Sequence, residues 1–247
     1  LQNCGLKEVL DGYGLAPYEE NKIKFIPQLF YKILPLPFGI QTFQIHLNYY
    51  KQDDFNNLKK FIELNSTKII TYDEAMKLYG SDKPDIRFEM QFVEMNDVCQ
   101  GKDFDVFDSA ELVVAINAKG CANYTRKQLD KLVDFVKTPQ VGATGLIYCK
   151  YNEDGTSKST VDKFFDEKAR KAWSEKAGCE DGDLLLIMAG DRNNTRKALG
   201  TLRLHLAEEL DLRNPEIFAP LWVLDFPLLK WDEETKRYHA MHHPFTS

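Results

Sequence analysis

The chain has 247 residues, of which 43% are hydrophobic and 28% charged, and its formal net charge is −6. This composition is typical of globular proteins, and the acidic balance excludes a generally basic nucleic-acid coat while leaving room for a local basic patch. No apolar run reaches the roughly 18 residues of a membrane span, and residues 1–12 lack the basic and apolar regions of a signal peptide. We therefore expect a cytoplasmic protein without a membrane partner.

The two ends of the chain suggest a longer protein. The sequence begins with Leu1 rather than methionine, and it ends at Ser247, just after a run that predicts a β-hairpin. We therefore expect that both ends are internal to a larger polypeptide.

The cysteines show no pairing pattern. Their number is odd and no C-x-x-C spacing occurs, which predicts reduced, buried thiols of an intracellular protein rather than a disulfide framework or a metal site. The five residues are Cys4, Cys99, Cys121, Cys149 and Cys179.

The first predicted elements in the chain are two short helices. Residues 1–52 carry few signals, because prolines interrupt an aromatic-rich stretch. "DDFNNLKKFIEL" at 53–64 predicts an amphipathic helix. A second helix is predicted at 71–80, where Thr71 and Glu74 form a capping-box pattern and Gly80 can end the helix.

Strands and helices alternate in the middle of the chain. Thr125 and Gln128 form a second capping-box pattern at the start of a predicted amphipathic helix, and Pro139 ends that helix. This alternation favours an α+β or α/β fold. The predicted elements are helices at 125–139, 166–178 and 194–212 and strands at 145–151 and 183–190.

The carboxyl-terminal part predicts an antiparallel hairpin. Residues 221–231 and 237–245 are strand-like and flank the polar turn "DEETK". Pro227 predicts a bulge or an edge position in the first strand. Asp225 in that apolar strand needs a polar partner unless the strand is at an exposed edge, and both alternatives stay open.

Common catalytic and binding motifs do not occur in this sequence. A P-loop, a G-x-G-x-x-G motif, H-E-x-x-H, G-x-S-x-G and an EF-hand loop are all missing. "NEDGT" at 152–156 and "CEDGDL" at 179–184 resemble calcium loops in composition alone, and we predict turns there.

The polar segment "YGSDKPDIRF" at 79–88 is the first candidate site. One interpretation is a solvated turn with local ion pairs. The other is a loop that presents Lys83 and Arg87 to a phosphate-bearing partner. The candidate residues are Ser81, Asp82, Lys83, Asp85 and Arg87.

Two adjacent histidines, His242 and His243, form the second candidate site. Neighbouring side chains of a strand point to opposite faces, so both can face one pocket only where the strand is bulged or ending. One interpretation is a core histidine beside a surface histidine. The other is a histidine that donates to a polar substrate group. No third ligand has metal-site spacing, so we expect no metal.

Four segments, in this order and spacing, carry a family resemblance. They are "TYDEAMKLYGSDKPDIRF", "YTRKQLDKLVDFVK", "GDLLLIMAG" and "LWVLDFPLLKWDEETKRYHAMHHPFTS". Over about residues 67–247 the chain resembles the bacterial-type aspartyl-tRNA synthetases, which are class II enzymes. In this family an α+β domain of the GAD type, shared with an amidotransferase subunit, is inserted into an antiparallel-sheet catalytic domain flanked by helices.

The resemblance implies an α+β chain in which an inserted domain of α/β type is flanked by pieces of the class II catalytic sheet. Residues 1–66 remain unassigned and include a divergent or aberrant segment. The implied domains are a catalytic flank at 67–97, the inserted domain at 98–212 and a truncated catalytic hairpin at 213–247.

The activity implied is aspartate–tRNA ligation. The family forms aspartyl-adenylate from L-aspartate and ATP with Mg²⁺, and then transfers aspartate to tRNA-Asp; charging of tRNA-Asn is left open. The full-length enzyme is expected to be a homodimer. The resemblance implies that His242 contacts aspartate, that His243 lies beside the active site, and that Ser81 to Arg87 lie near the approach of the tRNA acceptor end.

The sequence also departs from the family pattern. Motifs 1, 2 and 3 and the anticodon-binding barrel are not found, and Leu229 and Lys230 replace the usual aromatic and acidic residues. We therefore expect the chain to be inactive alone and to bind no cofactor. The alternative is a non-catalytic module, derived from the inserted domain, that binds tRNA or a protein.

Overall fold

A computed structural model gives the fold. It describes residues 8–11, 18–20, 23–30, 42–43, 51–64, 68–217, 219, 221–232 and 235–241. The chain divides into two compact units, Leu1–Thr67 and Lys68–Ser247. No helix in these ranges is both long and apolar enough to cross a membrane.

The first unit contains a small mixed sheet and one helix. Strand β3 lies in the centre of the sheet, parallel to β1 and β4 and antiparallel to β2. The predicted helix at 53–64 is confirmed, with a start one residue earlier. The elements are β1 (Glu8–Asp11), β2 (Tyr18–Glu20), β3 (Ile23–Phe30), β4 (Thr42–Phe43) and α1 (Gln52–Leu64).

A five-stranded sheet forms the centre of the second unit. Its strand order is β6-β7-β10-β8-β9, and every neighbouring pair is antiparallel. β7 and β10 are central and are buried over most of their length, as expected for strands that are covered on both faces. The strands are β6 (Val93–Glu94), β7 (Leu112–Ala118), β8 (Ile147–Tyr151), β9 (Ser157–Ser159) and β10 (Leu184–Gly190).

Helices cover both faces of this sheet. Alternate residues of β7 point to opposite faces, so Val114 packs with the residues of α5 and α7, whereas Val113 packs with those of α3, α4 and α6. Trp173 is fully buried on the face of the sheet where Val113 lies. The helices are α3 (Asn96–Cys99), α4 (Asp105–Asp108), α5 (Arg126–Val136), α6 (Glu167–Ala177) and α7 (Arg192–Glu209).

The predicted helix boundaries are mostly correct. The Thr125–Gln128 capping box is present at the start of α5. Helix α6 begins after Asp166, whose side chain accepts the amide of Ala169, and ends at Gly178 in the left-handed conformation. Helix α7 begins two residues earlier than predicted, because Asp191 caps it, and ends three residues earlier.

The α+β class is confirmed, whereas the expected α/β type of the inserted domain is wrong. The sheet within 98–212 has no parallel pair, because its strands are joined so that each neighbour runs in the opposite direction. The helices between them pack on the two faces as in α/β proteins. Alternation of helices and strands along the chain is common to both fold types and does not fix the direction of strand pairing. The predicted domain boundaries stay a prediction.

The predicted carboxyl-terminal hairpin is confirmed for residues 229–231 and 237–240 and is wrong for residues 221–224, whereas predicted strand residues 242–245 lie outside the described residues. Residues 221–231 form two strands, β11 (Leu221–Leu224) and β12 (Leu229–Asp232), interrupted by Asp225 with a φ of 57°. β12 pairs antiparallel with β13 (Arg237–Ala240). β11 instead pairs in parallel with β5 (Lys68–Thr71). Asp225 is exposed, as one of its two interpretations requires.

Candidate functional site

The candidate segment 79–88 includes the end of helix α2 (Tyr72–Tyr79) and continues into a loop at 81–92. The capping box predicted for this helix is confirmed: the Glu74 amide donates to Thr71 Oγ1 at 3.2 Å, and the Thr71 amide donates to Glu74 Oε2 at 2.8 Å. Gly80 ends the helix with a φ of 68°, a conformation that glycine adopts at little cost. Gly80 therefore fixes where the loop starts.

Asp85 and Arg87 form a bidentate ion pair within the loop. Asp85 Oδ1 accepts Arg87 Nε at 2.9 Å, and Asp85 Oδ2 accepts Arg87 Nη2 at 2.6 Å. Arg87 Nη1 also donates to the carbonyl oxygen of Asn214 at 3.3 Å. These hydrogen bonds from Arg87 lower the pKa of the Asp85 carboxyl. Arg87 is therefore engaged with the protein, as expected for a structural residue of the turn.

The other polar side chains of the loop are less constrained. Ser81 Oγ accepts the amide of Lys83 at 3.1 Å, which leaves its hydroxyl hydrogen available as a donor. Lys83 is exposed. Asp82 lies near Tyr72, and burial together with the Asp82 charge raises the pKa of that tyrosine.

Arg203 on helix α7 holds the second half of the loop. Its Nε donates to the carbonyl oxygen of Met90 at 2.9 Å. Its Nη2 lies within 3.1 Å of three more carbonyl oxygens, those of Asp85, Phe88 and Glu89. Arg203 is only 1% exposed, and burial lowers its pKa to about 10. It is therefore still charged at neutral pH, and the carbonyl dipoles of the loop replace its hydration.

Two aromatic rings and an unusual backbone conformation surround Arg203. Its guanidinium carbon lies 3.9 Å from the centroid of the Phe88 ring and 5.0 Å from that of Tyr79. Such cation–π contacts are worth about 2 kcal/mol or more when desolvated. Met90 has a φ of 75°, which is uncommon for a residue with a long side chain, and its carbonyl is one that Arg203 binds.

Two glycines bring the start of the loop against the same helix. A Cβ atom on Gly80 would lie 2.0 Å from the carbonyl oxygen of Arg196. A Cβ atom on Gly200 of α7 would lie 2.8 Å from the carbonyl oxygen of Tyr79. Both positions therefore require glycine, because backbone atoms occupy the space that a side chain would need. The end of α2 and helix α7 are in direct backbone contact.

A cavity of about 210 Å³ lies between the loop and α7. Three of the five loop candidates, Ser81, Lys83 and Asp85, line it, whereas Asp82 and Arg87 do not. Helix α7 contributes Lys197 and Arg203. The candidate histidines, His242 and His243, lie outside the described residues, so their predicted roles stay predictions.

The residues of α7 that complete this site were not predicted from the sequence. Arg203 lies four residues after Leu199 and three before Leu206 in the predicted helix 194–212. This spacing places it on the apolar face, where a charged residue needs an internal partner. Gly200 in the middle of a helix is a second signal, because glycine there is costly unless close packing requires it. Lys197 carries no signal in the sequence, since exposed lysines are common on helices.

The turns predicted in place of calcium loops are confirmed. Asp183 is buried, and its two carboxylate oxygens accept the amides of Gly120 and Glu180 and the Asn117 side chain at 2.9–3.0 Å. Asp154 accepts the amide of Thr156 at 2.9 Å. These carboxylates therefore organise turns through hydrogen bonds with protein donors.

Residues 105–199 match the family model of the GAD domain. This segment contains the central sheet from β7 to β10 and the first half of α7. The chain therefore contains a GAD domain, as the sequence resemblance implied.

Curated relatives extend this similarity beyond the GAD domain. The chain is 55% identical over 188 residues to the aspartate–tRNA ligase of Flavobacterium psychrophilum, covering 76% of this chain and 32% of the relative. It is 55% identical over 179 residues to that of Porphyromonas gingivalis, with 72% and 30% covered. The enzyme of Amoebophilus asiaticus is 47% identical over 200 residues, with 78% and 34% covered.

The resemblance to bacterial aspartyl-tRNA synthetases is thereby confirmed. The chain is similar to a segment of these synthetases and itself contains the GAD match, and it spans about a third of the length of the relatives it matches.

Proposed function

We propose that this chain is part of an aspartate–tRNA ligase. In the proposed reaction, the carboxylate of L-aspartate attacks the α-phosphate of ATP, which is bound as its Mg²⁺ complex, to give aspartyl-adenylate and pyrophosphate. A ribose hydroxyl at the end of tRNA-Asp then attacks the activated carbonyl and releases AMP. Such catalysis depends mainly on positioning and on neutralising phosphate charge.

One observation carries this proposal. The match to the Flavobacterium enzyme covers 188 residues, whereas the GAD match covers residues 105–199 alone. About half of the similar residues therefore lie outside the GAD domain. A GAD domain shared with an amidotransferase subunit would not account for those flanks, whereas a synthetase segment does.

Two groups of residues have proposed roles. His242 contacts the aspartate substrate and His243 lies beside the active site, by the resemblance of "MHHPFT" to the family. The loop from Ser81 to Arg87 faces the approach of the tRNA acceptor end. The class II catalytic sheet, a homodimer and a cytoplasmic location belong to the same proposal for the complete enzyme, with 67–97 and 213–247 as flanks of the inserted domain at 98–212.

The chain alone is proposed to be inactive in adenylate formation. The arginines that neutralise the α-phosphate belong to motifs 2 and 3 of the family, and the sequence contains neither motif. Without them, the developing charge on phosphate has no preorganised partner.

Aspartate-dependent exchange of pyrophosphate into ATP tests the proposal. The assay compares this chain, a version extended through motifs 2 and 3, and the extended version with His242→Ala. We expect exchange from the extended version alone and a strong loss with His242→Ala. Exchange above background by the short chain would refute its inactivity, and normal exchange by the His242→Ala variant would refute the histidine role.

Aminoacylation of tRNA-Asp and tRNA-Asn by the extended version then gives the tRNA specificity. If the extended version is inert in both assays while the short chain binds tRNA, the synthetase proposal fails and the chain is a binding module.

A further inference from the structure

We propose that the cavity between the loop and helix α7 binds a phosphate group of an RNA backbone, through Lys83 from the loop and Lys197 from the GAD domain. The inference rests on the proposed function, because that function supplies RNA as the phosphate-bearing partner. Lys83 belongs to the loop that the sequence indicated. Lys197 is a second lysine at the same cavity and comes from a different part of the chain.

The charges around the cavity favour an anion. Lys83 and Lys197 line it, are exposed, and have no carboxylate partner within the described residues. Among the described lining residues, Asp85 carries the single carboxylate, and both of its oxygens accept hydrogen bonds from Arg87. The buried guanidinium of Arg203 adds a third positive charge at the cavity wall. Positive charges in a concave site attract phosphate despite the net charge of −6 on the chain.

The site is also rigid on both sides. The Gly80 and Gly200 contacts fix the end of α2 on α7, and Arg203 binds four carbonyl oxygens of the loop. The distance between the backbones of the two lysines is therefore fixed before RNA binds. Ser81 offers a hydroxyl donor at the same wall. Preorganisation of this kind lowers the entropy lost on binding.

RNA and small molecules both carry phosphate, and the proposed function favours RNA. Lysine binds phosphate as a point charge that requires no fixed orientation of the phosphate, so it can hold a backbone phosphodiester. The other charged side chains of the lining, Asp85 and Arg203, are already engaged in hydrogen bonds within the protein. Contact with one phosphate positions RNA without reading its sequence.

The test measures binding of this chain to a fluorescein-labelled acceptor-stem hairpin of tRNA-Asp as a function of salt. We expect Lys83→Gln and Lys197→Gln each to weaken binding about three- to tenfold, and each to reduce the slope of log K against log salt by up to about 1. Lys197→Arg, which keeps the charge, should retain most of the affinity. Lys158→Gln on β9 is the matched control, because this exposed lysine lies on the opposite edge strand of the sheet from β6.

Each outcome decides for or against the site. Equal effects of Lys158→Gln and Lys197→Gln, or no effect of Lys197→Gln, would overturn it. Lysine-dependent binding of inorganic phosphate or ATP without binding of the hairpin would overturn the assignment to RNA. Circular dichroism of each variant excludes unfolding as the cause of a loss, since neither lysine is buried.

Failure of this inference can be told apart from failure of the proposed function. Aspartylation by the extended version with unchanged KM for tRNA in Lys197→Gln would leave the function intact and remove the phosphate site. Lysine-dependent hairpin binding by a chain whose extended version is inert would leave the site and remove the function.

Discussion

Arg203 makes both a hydrogen bond and a cation–π contact with Phe88. Its Nη2 donates to the Phe88 carbonyl at 3.1 Å, and its guanidinium carbon lies 3.9 Å from the centre of the Phe88 ring. Phe88 belongs to the loop, whereas Arg203 belongs to helix α7, which starts within the GAD match. The same arginine is nearly inaccessible to solvent. The loop and the helix are thus joined by a buried charge whose partners are almost all backbone.

Replacing Arg203 should therefore destabilise the second unit strongly. Arg203→Met keeps the apolar stem but leaves four carbonyl oxygens without their donor, and we expect a loss of about 3 kcal/mol or more in the free energy of unfolding. Arg203→Lys should recover only part of it, because an ammonium cannot reproduce the fork of donors. Urea unfolding followed by circular dichroism measures both losses.

Arg213→Met is the control for this prediction. Arg213 lies at the surface and pairs with Glu208 at 3.4 Å, and such exposed pairs contribute about 1 kcal/mol or less. If Arg203→Met were no more destabilising than Arg213→Met, the loop would not depend on the buried guanidinium. Hydrogen exchange at the amides of residues 86–92 should also rise in the Arg203 variant and stay unchanged in the Arg213 variant.

Gly200→Ala should also be destabilising, although alanine is the better helix former. Alanine gains about 1 kcal/mol of helix propensity at an unhindered position. Here the new Cβ would lie 2.8 Å from the Tyr79 carbonyl oxygen, so α2 and α7 must separate. We expect a net loss of about 1–3 kcal/mol in thermal or urea unfolding. Gly145→Ala, where a Cβ meets nothing within 4 Å, should change stability little.

The sequence predicted the elements whose signals are local. Capping boxes, helix-ending glycines and apolar stripes gave α2, α5 and α6 nearly residue for residue. The direction of strand pairing has no such local signal. It depends on which strands are neighbours, and the predicted α/β type was therefore wrong.

Two further misses have the same long-range origin. Strand β7 was not predicted, although "LVVAINA" is rich in β-branched residues and pairs along its whole length with β10. β11 is continuous in sequence with β12, which predicts one hairpin strand, yet its partner is β5, about 150 residues earlier in the chain. The candidate site shows the same limit, because composition indicates the loop, whereas Arg203 on α7 binds it across more than 110 residues of sequence.

Acid should remove the contribution of the Asp85–Arg87 pair to stability. The pKa of Asp85 is lowered in the folded protein, chiefly by hydrogen bonds from the Arg87 side chain, below its ordinary value of 3.8. The pair therefore stabilises the fold fully above that value, and this stabilisation is lost as the pH falls through the lowered pKa. The difference in unfolding free energy between the wild type and Asp85→Asn should be constant from about pH 7 to pH 5 and shrink below about pH 4.

Asp130→Asn is the matched control for the acid experiment. Asp130 lies 3.8 Å from Arg126 on the exposed face of α5, where ion pairs contribute little. A pH dependence in Asp130→Asn as large as that in Asp85→Asn, or an Asp85→Asn difference that persists to about pH 2, would contradict the prediction.

The thiols of the second unit should be unreactive in the folded protein. Burial raises the pKa of Cys149 to about 11 and that of Cys99 and Cys179 to about 12, and it also raises the pKa of Cys121. All four are free thiols, as the sequence predicted, and three of them are buried. At about pH 8 almost no thiolate is present, and the thiolate is the form that attacks a disulfide reagent.

Labelling with Ellman's reagent in a Cys4→Ser background tests this prediction, because Cys4 lies outside the described residues. We expect almost no reaction over minutes in buffer and complete reaction of the remaining thiols in guanidinium chloride. Lys158→Cys in the same background is the positive control, because its thiol would be exposed on the edge strand β9 and should react at once. Rapid native labelling in the Cys4→Ser protein, without that added cysteine, would show that the core on one face of the sheet opens far more readily than its packing implies: the core around Trp173 for Cys99, Cys149 or Cys179, and the core on the opposite face for Cys121.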